Sequence, residues 1–465
     1  MYQYKGLEDT IAAIATPAGQ GGIGIIRISG KDAIRIADAV LRLDKAKSLA
    51  SCQSHTVQHG WAVNPKSKDM LDEVLVTVMR APKSYTAENV VEINGHGGMT
   101  VMRALLQAVL NAGARLATPG EFTKRAFLSG RMDLTQAEAV IDIIHAKTET
   151  FLRQSHHQLK GELSTQLNQM REELIKLYTM VEALINFPED GIDAQGRQQI
   201  LERINAQETN ISKLLESSKS GRILKEGIRI VLCGKPNVGK SSLLNALLKE
   251  QRAIVTEIAG TTRDILEESA QISGIPISLV DTAGILEPRD LIEIEAVKRS
   301  QLYIKSADVV LLVLDYSGAL EEQDRLLMEQ LKTAKVLVVI NKTDLNEKLE
   351  INILEEFFGR EHLIKVSALN PASIQALETR MVDIIRKDIH FDAHGLLISN
   401  IRHIKALEEA QLHLQDAGRL MNGNTSLEFI SEELKSAVNQ LDAITGRNID
   451  EDLLDRIFSE FCIGK

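Results

Sequence analysis

Residues 228–248 read IRIVLC-GKPNVGKS-SLLNALL: an apolar run, a glycine-bounded loop from Gly234 to Ser241, then leucines at helical spacing. The loop matches G-x-x-x-x-G-K-S and lies between a strand and a helix, the context in which that motif works. Its glycines let backbone N–H groups curl around phosphates at a helix amino terminus, and Lys240 reaches the β and γ phosphates. The Ser241 hydroxyl is a Mg²⁺ ligand by type. Asn237, Val238, Gly239 and Ser242 complete the expected contact set. Cys233, just upstream, reads as a buried strand residue rather than a reactive thiol.

Downstream, ISLVD (277–281), VVLLVLD (309–315), VLVVIN (336–341) and LIKVSA (363–368) alternate with helical or loop segments, the pattern of a doubly wound, mainly parallel sheet. Asp281-Thr282-Ala283-Gly284 puts a carboxylate near the Mg²⁺ and a glycine amide where it senses a γ-phosphate. In Asn341-Lys342-Thr343-Asp344 the last carboxylate can accept both the ring N–H and the exocyclic amine of guanine, a donor pair adenine lacks. Ser367-Ala368-Leu369 fits a loop closing on the base. These stations, in this order, resemble the translation-factor-related GTPase class. Ile285 stands where Ras-like enzymes place a water-orienting Gln, and an aliphatic side chain does not do that work. Thr256-Glu257-Ile258-Ala259-Gly260-Thr261-Thr262 offers carbonyls and hydroxyls suited to a monovalent cation, which would supply the charge an arginine finger gives elsewhere. An ordinary switch loop without a cation is the alternative. Thr262 would be the second Mg²⁺ ligand. Glu293 is a candidate for orienting water, or a solvated residue of an acidic helix start.

The chain has 465 residues, enough for about three domains. Against 64 Asp plus Glu stand 54 Lys plus Arg, a net charge of −10, so a polyanion must meet a local basic patch. The longest apolar runs fall far short of the roughly 18 residues of a bilayer span, and the amino-terminal stretch has no export-signal pattern. A soluble cytoplasmic protein is expected. Cys52, Cys233 and Cys462 have no zinc-ligand spacing and read as reduced thiols. Residues 1–118 read as a small α+β domain, 119–220 as helices, 221–382 as a Ras-like α/β unit, and 383–465 as helices again. The two helical sets have apolar faces with no other partner, so they should pack together, with the α/β unit inserted between them. Thr135 and Glu138 have capping-box spacing ahead of a helix.

Four pieces carry a resemblance over essentially the whole chain: ATPAGQGGIGIIRISG (15–30), VEINGHGG (91–98) with TPGEFTKRAFLSGRMDLTQAEA (118–139), IVTEIAGTTRD (254–264) and the terminal FCIGK (461–465). Together they resemble the TrmE-type family of tRNA modification GTPases. That resemblance implies a homodimer with an amino-terminal tetrahydrofolate-binding domain, a helical domain carrying a cysteine tail, and inserted GTP domains that meet in a potassium-dependent way. It implies an FAD-dependent partner, MnmG (GidA), in a heterotetramer that attaches an aminomethyl or carboxymethylaminomethyl group to C5 of uridine 34 in certain tRNAs. Carried over, Asn237, Thr256, Ile258 and Thr261 would hold potassium, Ser241 and Thr262 Mg²⁺, and Glu293 water. Arg27, Glu92, Arg131 and Lys465 would hold 5-formyltetrahydrofolate or methylenetetrahydrofolate, and Cys462 would be the tail's catalytic thiol. Some relatives have Lys where this chain has Arg131, which keeps charge but changes fork geometry.

The residue types fit those roles: a Glu can hold a pterin edge while Arg or Lys holds a glutamate tail. Lys465 near Cys462 would favour thiolate, although a spare surface thiol is the plain alternative. Gly19 to Gly24 reads as a loop-strand connection, and His96, within a glycine cluster, could serve catalysis or fill a turn, the turn being the preferred reading. Lys124, Arg125, Arg131, Arg402, His403 and Lys405 are cations that could meet tRNA phosphates, but scattered cations are usually solvated surface. Two rivals remain: a ribosome-assembly GTPase switch, which would add an RNA-binding module after the GTP domain, and a folate enzyme in which GTP is structural.

Overall fold

Side-chain alternation organises the amino-terminal sheet. The computed structural model describes residues 8–187, 194–250, 267–281, 303–386, 397–423 and 425–465. Contacts divide the chain into two units: Met1–Ile144 with His156–Ile200 and Asp416–Lys465, and His145–Ser155 with Leu201–Gln415. The first contains β1 (Ile11–Ile14), β2 (Gly21–Ser29), β3 (Leu41–Leu43), β4 (Thr56–Val63), β5 (Met70–Met79), β6 (Val90–Gly97) and β7 (Arg115–Leu116) in the order β3-β4-β5-β6-β2-β1-β7. All neighbours are antiparallel except β1 and β7. Ile26, Ile28, Val91 and Ile93 face a core shared with helices Ala33–Ala39 and Met99–Asn111. The period of two therefore turns Arg27 and its register partner Glu92 to the other face. Over β1 that face is covered by Phe122, from helix Glu121–Leu128, and by Tyr85.

Helix Glu162–Asn186 lies along helix Leu427–Thr445 in this unit. Arg171 Nη2 donates to Asp442 Oδ2 at 3.1 Å and Arg447 Nη2 to Asn168 Oδ1 at 2.9 Å, so segments from either side of the nucleotide-binding sequence share one helical layer. Helix Leu134–Ile144 starts differently from the sequence expectation. Its reciprocal cap is Asp133 with Gln136: Gln136 N–H donates to Asp133 Oδ1 and Asp133 N–H to Gln136 Oε1, both at 3.0 Å. Asp-x-x-Gln has the same spacing as Thr-x-x-Glu, two residues earlier, and Thr135 is instead buried against Ser164.

The second unit holds β8 (Ile228–Cys233), β9 (Glu267–Ile272), β10 (Ile275–Asp281), β11 (Val309–Asp315), β12 (Val336–Asn341) and β13 (Leu363–Lys365), ordered β13-β12-β11-β8-β10-β9. The sheet is parallel apart from the β9–β10 hairpin at one edge. In β11, Val309, Leu311 and Val313 enter one core with Leu243, Leu247 and Leu377. Val310, Leu312 and Leu314 enter the opposite one with Met328 and Leu354, which is why the strand is an unbroken apolar run. With β10 on one side of β8 and β11 on the other, the loop after β8 lies at the topological switch point, where such sheets bind ligands. Among the described residues no helix is long and apolar enough to cross a membrane.

Arg125 corrects a sequence reading. It is 2% exposed and bonds Asp9 Oδ1 at 2.6 Å, Glu121 Oε1 at 3.0 Å and Glu88 Oε1 at 3.2 Å, so it is an internal counter-ion and not a phosphate contact. Burial alone would raise the carboxyls of Asp9 and Glu121, but hydrogen bonds from Arg115 and Arg125 outweigh it and lower both. A lowered folded-state value gives stability that is present above the unfolded carboxyl range and lost as pH falls through the folded value. Trp61, the sequence's one tryptophan, sits in β4 and reports on this unit. The urea midpoint followed by its fluorescence should drop between about pH 5 and about pH 3. Arg125→Met should cost about 1.5–3 kcal/mol at neutral pH by removing charge-assisted hydrogen bonds from a buried guanidinium, and should reduce but not abolish that acid dependence, because Arg115 keeps its own bonds to Asp9 and Glu121.

Candidate functional site

The phosphate loop is held by its own carbonyls. Lys240, 4% exposed at the start of helix Lys240–Glu250, donates to Gly234 O at 2.7 Å and Lys235 O at 2.6 Å. Asn341 Nδ2 donates to Val238 O at 2.9 Å, and its Oδ1 accepts the Ala368 N–H at 3.2 Å. Lys342 Nζ reaches Asn237 O at 2.8 Å and Asp315 Oδ2 at 2.6 Å. Gly239 has φ +95°, and a Cβ there would lie 2.3 Å from Asn341 Nδ2, so glycine is required. Asn237 holds φ +65°, a left-handed conformation that Asn tolerates.

Asp344, the expected guanine reader, accepts Ser367 Oγ at 2.6 Å and is thereby oriented. Asn341 does something the sequence reading did not assign: its amide staples the phosphate loop to Ser367-Ala368-Leu369. Leu369 is exposed, and Ser241 and Ser242 occupy the exposed first turn after the loop. Asp281 ends β10 in register with Leu232. Thr256, Glu257, Ile258, Ala259, Gly260, Thr261, Thr262, Thr282, Ala283, Gly284, Ile285 and Glu293 lie outside the described residues. Burial pushes the Cys233 thiol up to about 12 against the pull of Lys240, in keeping with an inert strand residue.

A second constellation lies on the outer face of the first unit's sheet. Arg27 Nε is 2.8 Å from Glu92 Oε1, and the Arg27 guanidinium stands 5.6 Å from the Tyr85 ring centroid and 5.7 Å from that of Phe122. Arg131 approaches the same Tyr85 ring at 5.1 Å. Burial raises the Tyr85 hydroxyl's pKa, opposed by its 2.8 Å hydrogen bond to Thr123 Oγ1 and by the two arginines. Arg27 Nη1 also donates to Gly464 O at 2.9 Å. Gly464 has φ +96°, and a Cβ there would sit 2.4 Å from Ile14 O, so this glycine lets the tail lie against β1. Burial and the Arg27 charge hold the Lys465 ammonium below the usual lysine range, against Glu92 and Cys462. Arg27, Glu92, Arg131 and Lys465 are thus gathered in one place, with Cys462 exposed beside them. Tyr85 and Phe122 were missed; Phe122 lies inside a quoted motif, whereas Tyr85 has no sequence signal. His96 is not a turn residue: it lies in β6 with Nδ1 2.6 Å from Asp72 Oδ1.

A G-x-x-x-x-G-K-S loop at a sheet's switch point, stapled to an Asn-Lys-x-Asp strand end, defines a P-loop guanine-nucleotide hydrolase. The family model "GTP-binding protein TrmE N-terminus" matches residues 10–131 and "MnmE helical domain" matches 134–462. The tRNA modification GTPase MnmE of Alkaliphilus oremlandii is 43% identical over 459 residues, covering 99% of this chain and 100% of that one. Its counterpart in Carboxydothermus hydrogenoformans is 44% identical over 460 residues, covering 99% and 100%. This chain belongs to the MnmE family of tRNA modification GTPases. Among solved structures, the G domain of the T. maritima FeoB iron transporter is 27% identical, covering 34% of this chain and 98% of that chain with a TM-score of 0.26.

Gly239→Ala should weaken GDP binding by about 100-fold or more, roughly 3 kcal/mol, measured by titration with a fluorescent GDP. Brief iodoacetamide treatment at mildly alkaline pH should alkylate exposed Cys462 and spare Cys233 until the protein is unfolded, as read by peptide mass spectrometry.

Proposed function

We propose that this MnmE-family GTPase is a potassium-activated GTP hydrolase. With the FAD-dependent partner MnmG, it would add an aminomethyl or carboxymethylaminomethyl group to C5 of wobble uridine 34, the carbon coming from a tetrahydrofolate. One observation carries the reading: in a chain that matches this family end to end, Glu92 and Lys465 lie with Arg27, and Arg27 and Arg131 meet at the Tyr85 ring, so four separate stretches supply one cluster. The donor set suits a folate. Glu92 is an acceptor for a pterin edge, the Tyr85 face is an aromatic platform, and the cations match a glutamate tail. Cys462 is then carried beside the bound carbon donor by the docking of Gly464.

In the nucleotide unit, Lys240 binds the phosphates and Asp344 selects guanine. Ser241 with Thr262 would hold Mg²⁺, and Asn237 with Thr256, Ile258 and Thr261 would hold potassium. A potassium ion there supplies the positive charge that phosphoryl transfer otherwise takes from an arginine finger. Glu293 orients the attacking water. GTP turnover drives a conformational cycle in a cytoplasmic homodimer, with 221–382 as the moving GTP domain. Against a ribosome-assembly switch, the described residues after Lys365 form helices only, including Ile401–Asn422, Leu427–Thr445 and Glu451–Ser459, and no strand of an RNA-binding module.

GTP hydrolysis should run at least about tenfold faster in potassium than in sodium chloride of equal ionic strength, an effect of the size expected for one well-placed charge; equal rates defeat the cation assignment. Reconstitution with MnmG, folate and unmodified tRNA, followed by nucleoside analysis, should yield modified uridine with the native chain and none with Cys462→Ser or Glu92→Gln.

A further inference from the structure

The phosphate loop is gripped by a second lysine that the nucleotide motif does not account for. Lys235 Nζ lies 2.7 Å from Asp324 Oδ2 and 3.0 Å from Glu321 Oε2. Asp324 is 2% exposed, and its Oδ1 has no hydrogen-bond partner among the described residues. Its Oδ2 also accepts the Glu321 N–H at 3.0 Å, closing the capping box of helix Glu322–Gln330. A buried carboxylate needs a counter-ion, and Lys235 is the cation within ion-pair distance of it among the described residues. Although burial works against its charge, the two carboxylates hold Lys235 protonated above the usual lysine range. The backbone of this same Lys235 supplies the carbonyl that receives Lys240 Nζ at 2.6 Å. A chain of contacts therefore runs from the Asp324 carboxylate through the Lys235 side chain and carbonyl to the ammonium that meets the phosphates.

We propose that Asp324, acting through Lys235, is a positioning residue for GTP: the buried ion pair fixes the Lys235 carbonyl and so aims Lys240 before nucleotide arrives. The same connection, from Asp315 to Asp324, grips the loop at a second point, because Asp315 holds Lys342 against the Asn237 carbonyl. Preorganisation of this kind acts on binding more than on the chemical step.

The test compares Asp324→Asn, Lys235→Met, the double variant and Lys235→Arg in the full chain. It measures dissociation of a fluorescent GDP, GTP kcat and KM, and melting without nucleotide. Asp324→Asn keeps an oxygen for the Glu321 N–H, so it removes the charge and leaves the cap. We expect GDP to leave and KM to rise about tenfold in Asp324→Asn and Lys235→Met, with kcat within about twofold. The double variant should be no worse than the worse single one, as for two members of one pair, and Lys235→Arg should stay near the native values. Dissociation within about twofold of native in both single variants, with or without a lowered melting temperature, would reduce Asp324 to a helix cap and overturn the proposal.

Discussion

The nucleotide unit rests on one accounting constraint. A loop that turns its N–H groups toward phosphate must turn carbonyls toward protein, and each buried carbonyl needs a donor. Here Gly234 and Lys235 are served by Lys240, Asn237 by Lys342, and Val238 by Asn341. Two of these donors come from Asn341-Lys342-Thr343-Asp344, so that motif and the Gly234–Ser241 loop are one hydrogen-bonded object. The register of β11 with β8 and β12 keeps it so, because a one-residue slip would turn Asn341 to the other face.

The first unit solves a different problem with the same sheet logic. Alternation commits one face to a hydrocarbon core and frees the other for Arg27 and Glu92. Phe122 and Tyr85 then shield the arginine from water on two sides, which strengthens its pairing with Glu92. Arg27, Arg131 and Lys465 gather there with Glu92, so the fold brings together charges from four separate stretches of the chain.

What could be read from residues alone followed local pattern. The buried parallel strands β8, β11 and β12 were legible because both faces are covered and the runs are unbroken. Strand β4 was not, because His59 and Gly60 interrupt its apolar alternation, and β9, EESAQI, has too few apolar residues to announce an edge strand. The site residues within motifs were nameable, but their partners were not. Tyr85 and Asp324 have no motif, and their importance comes from which distant groups the fold delivers to them. Arg125 misled for the same reason: its charge was visible, while Asp9, Glu88 and Glu121 are spread along the chain and only tertiary structure makes them neighbours. The capping of helix Leu134–Ile144 slipped by two positions because overlapping Asp-x-x-Gln and Thr-x-x-Glu patterns compete, and spacing does not rank them.

The hydrogen bond between Arg27 and Gly464 spans 437 positions of sequence. During synthesis at about 5–20 residues per second, Arg27 would wait roughly 20 to 90 s for that partner. Until then the cysteine-bearing tail is missing from the Arg27 cluster, however well the sheet beneath it has already folded. A nascent chain therefore passes through a stage in which β2 and β6 are paired but the thiol has yet to be delivered, and the cluster is completed in the order in which the ribosome releases its parts.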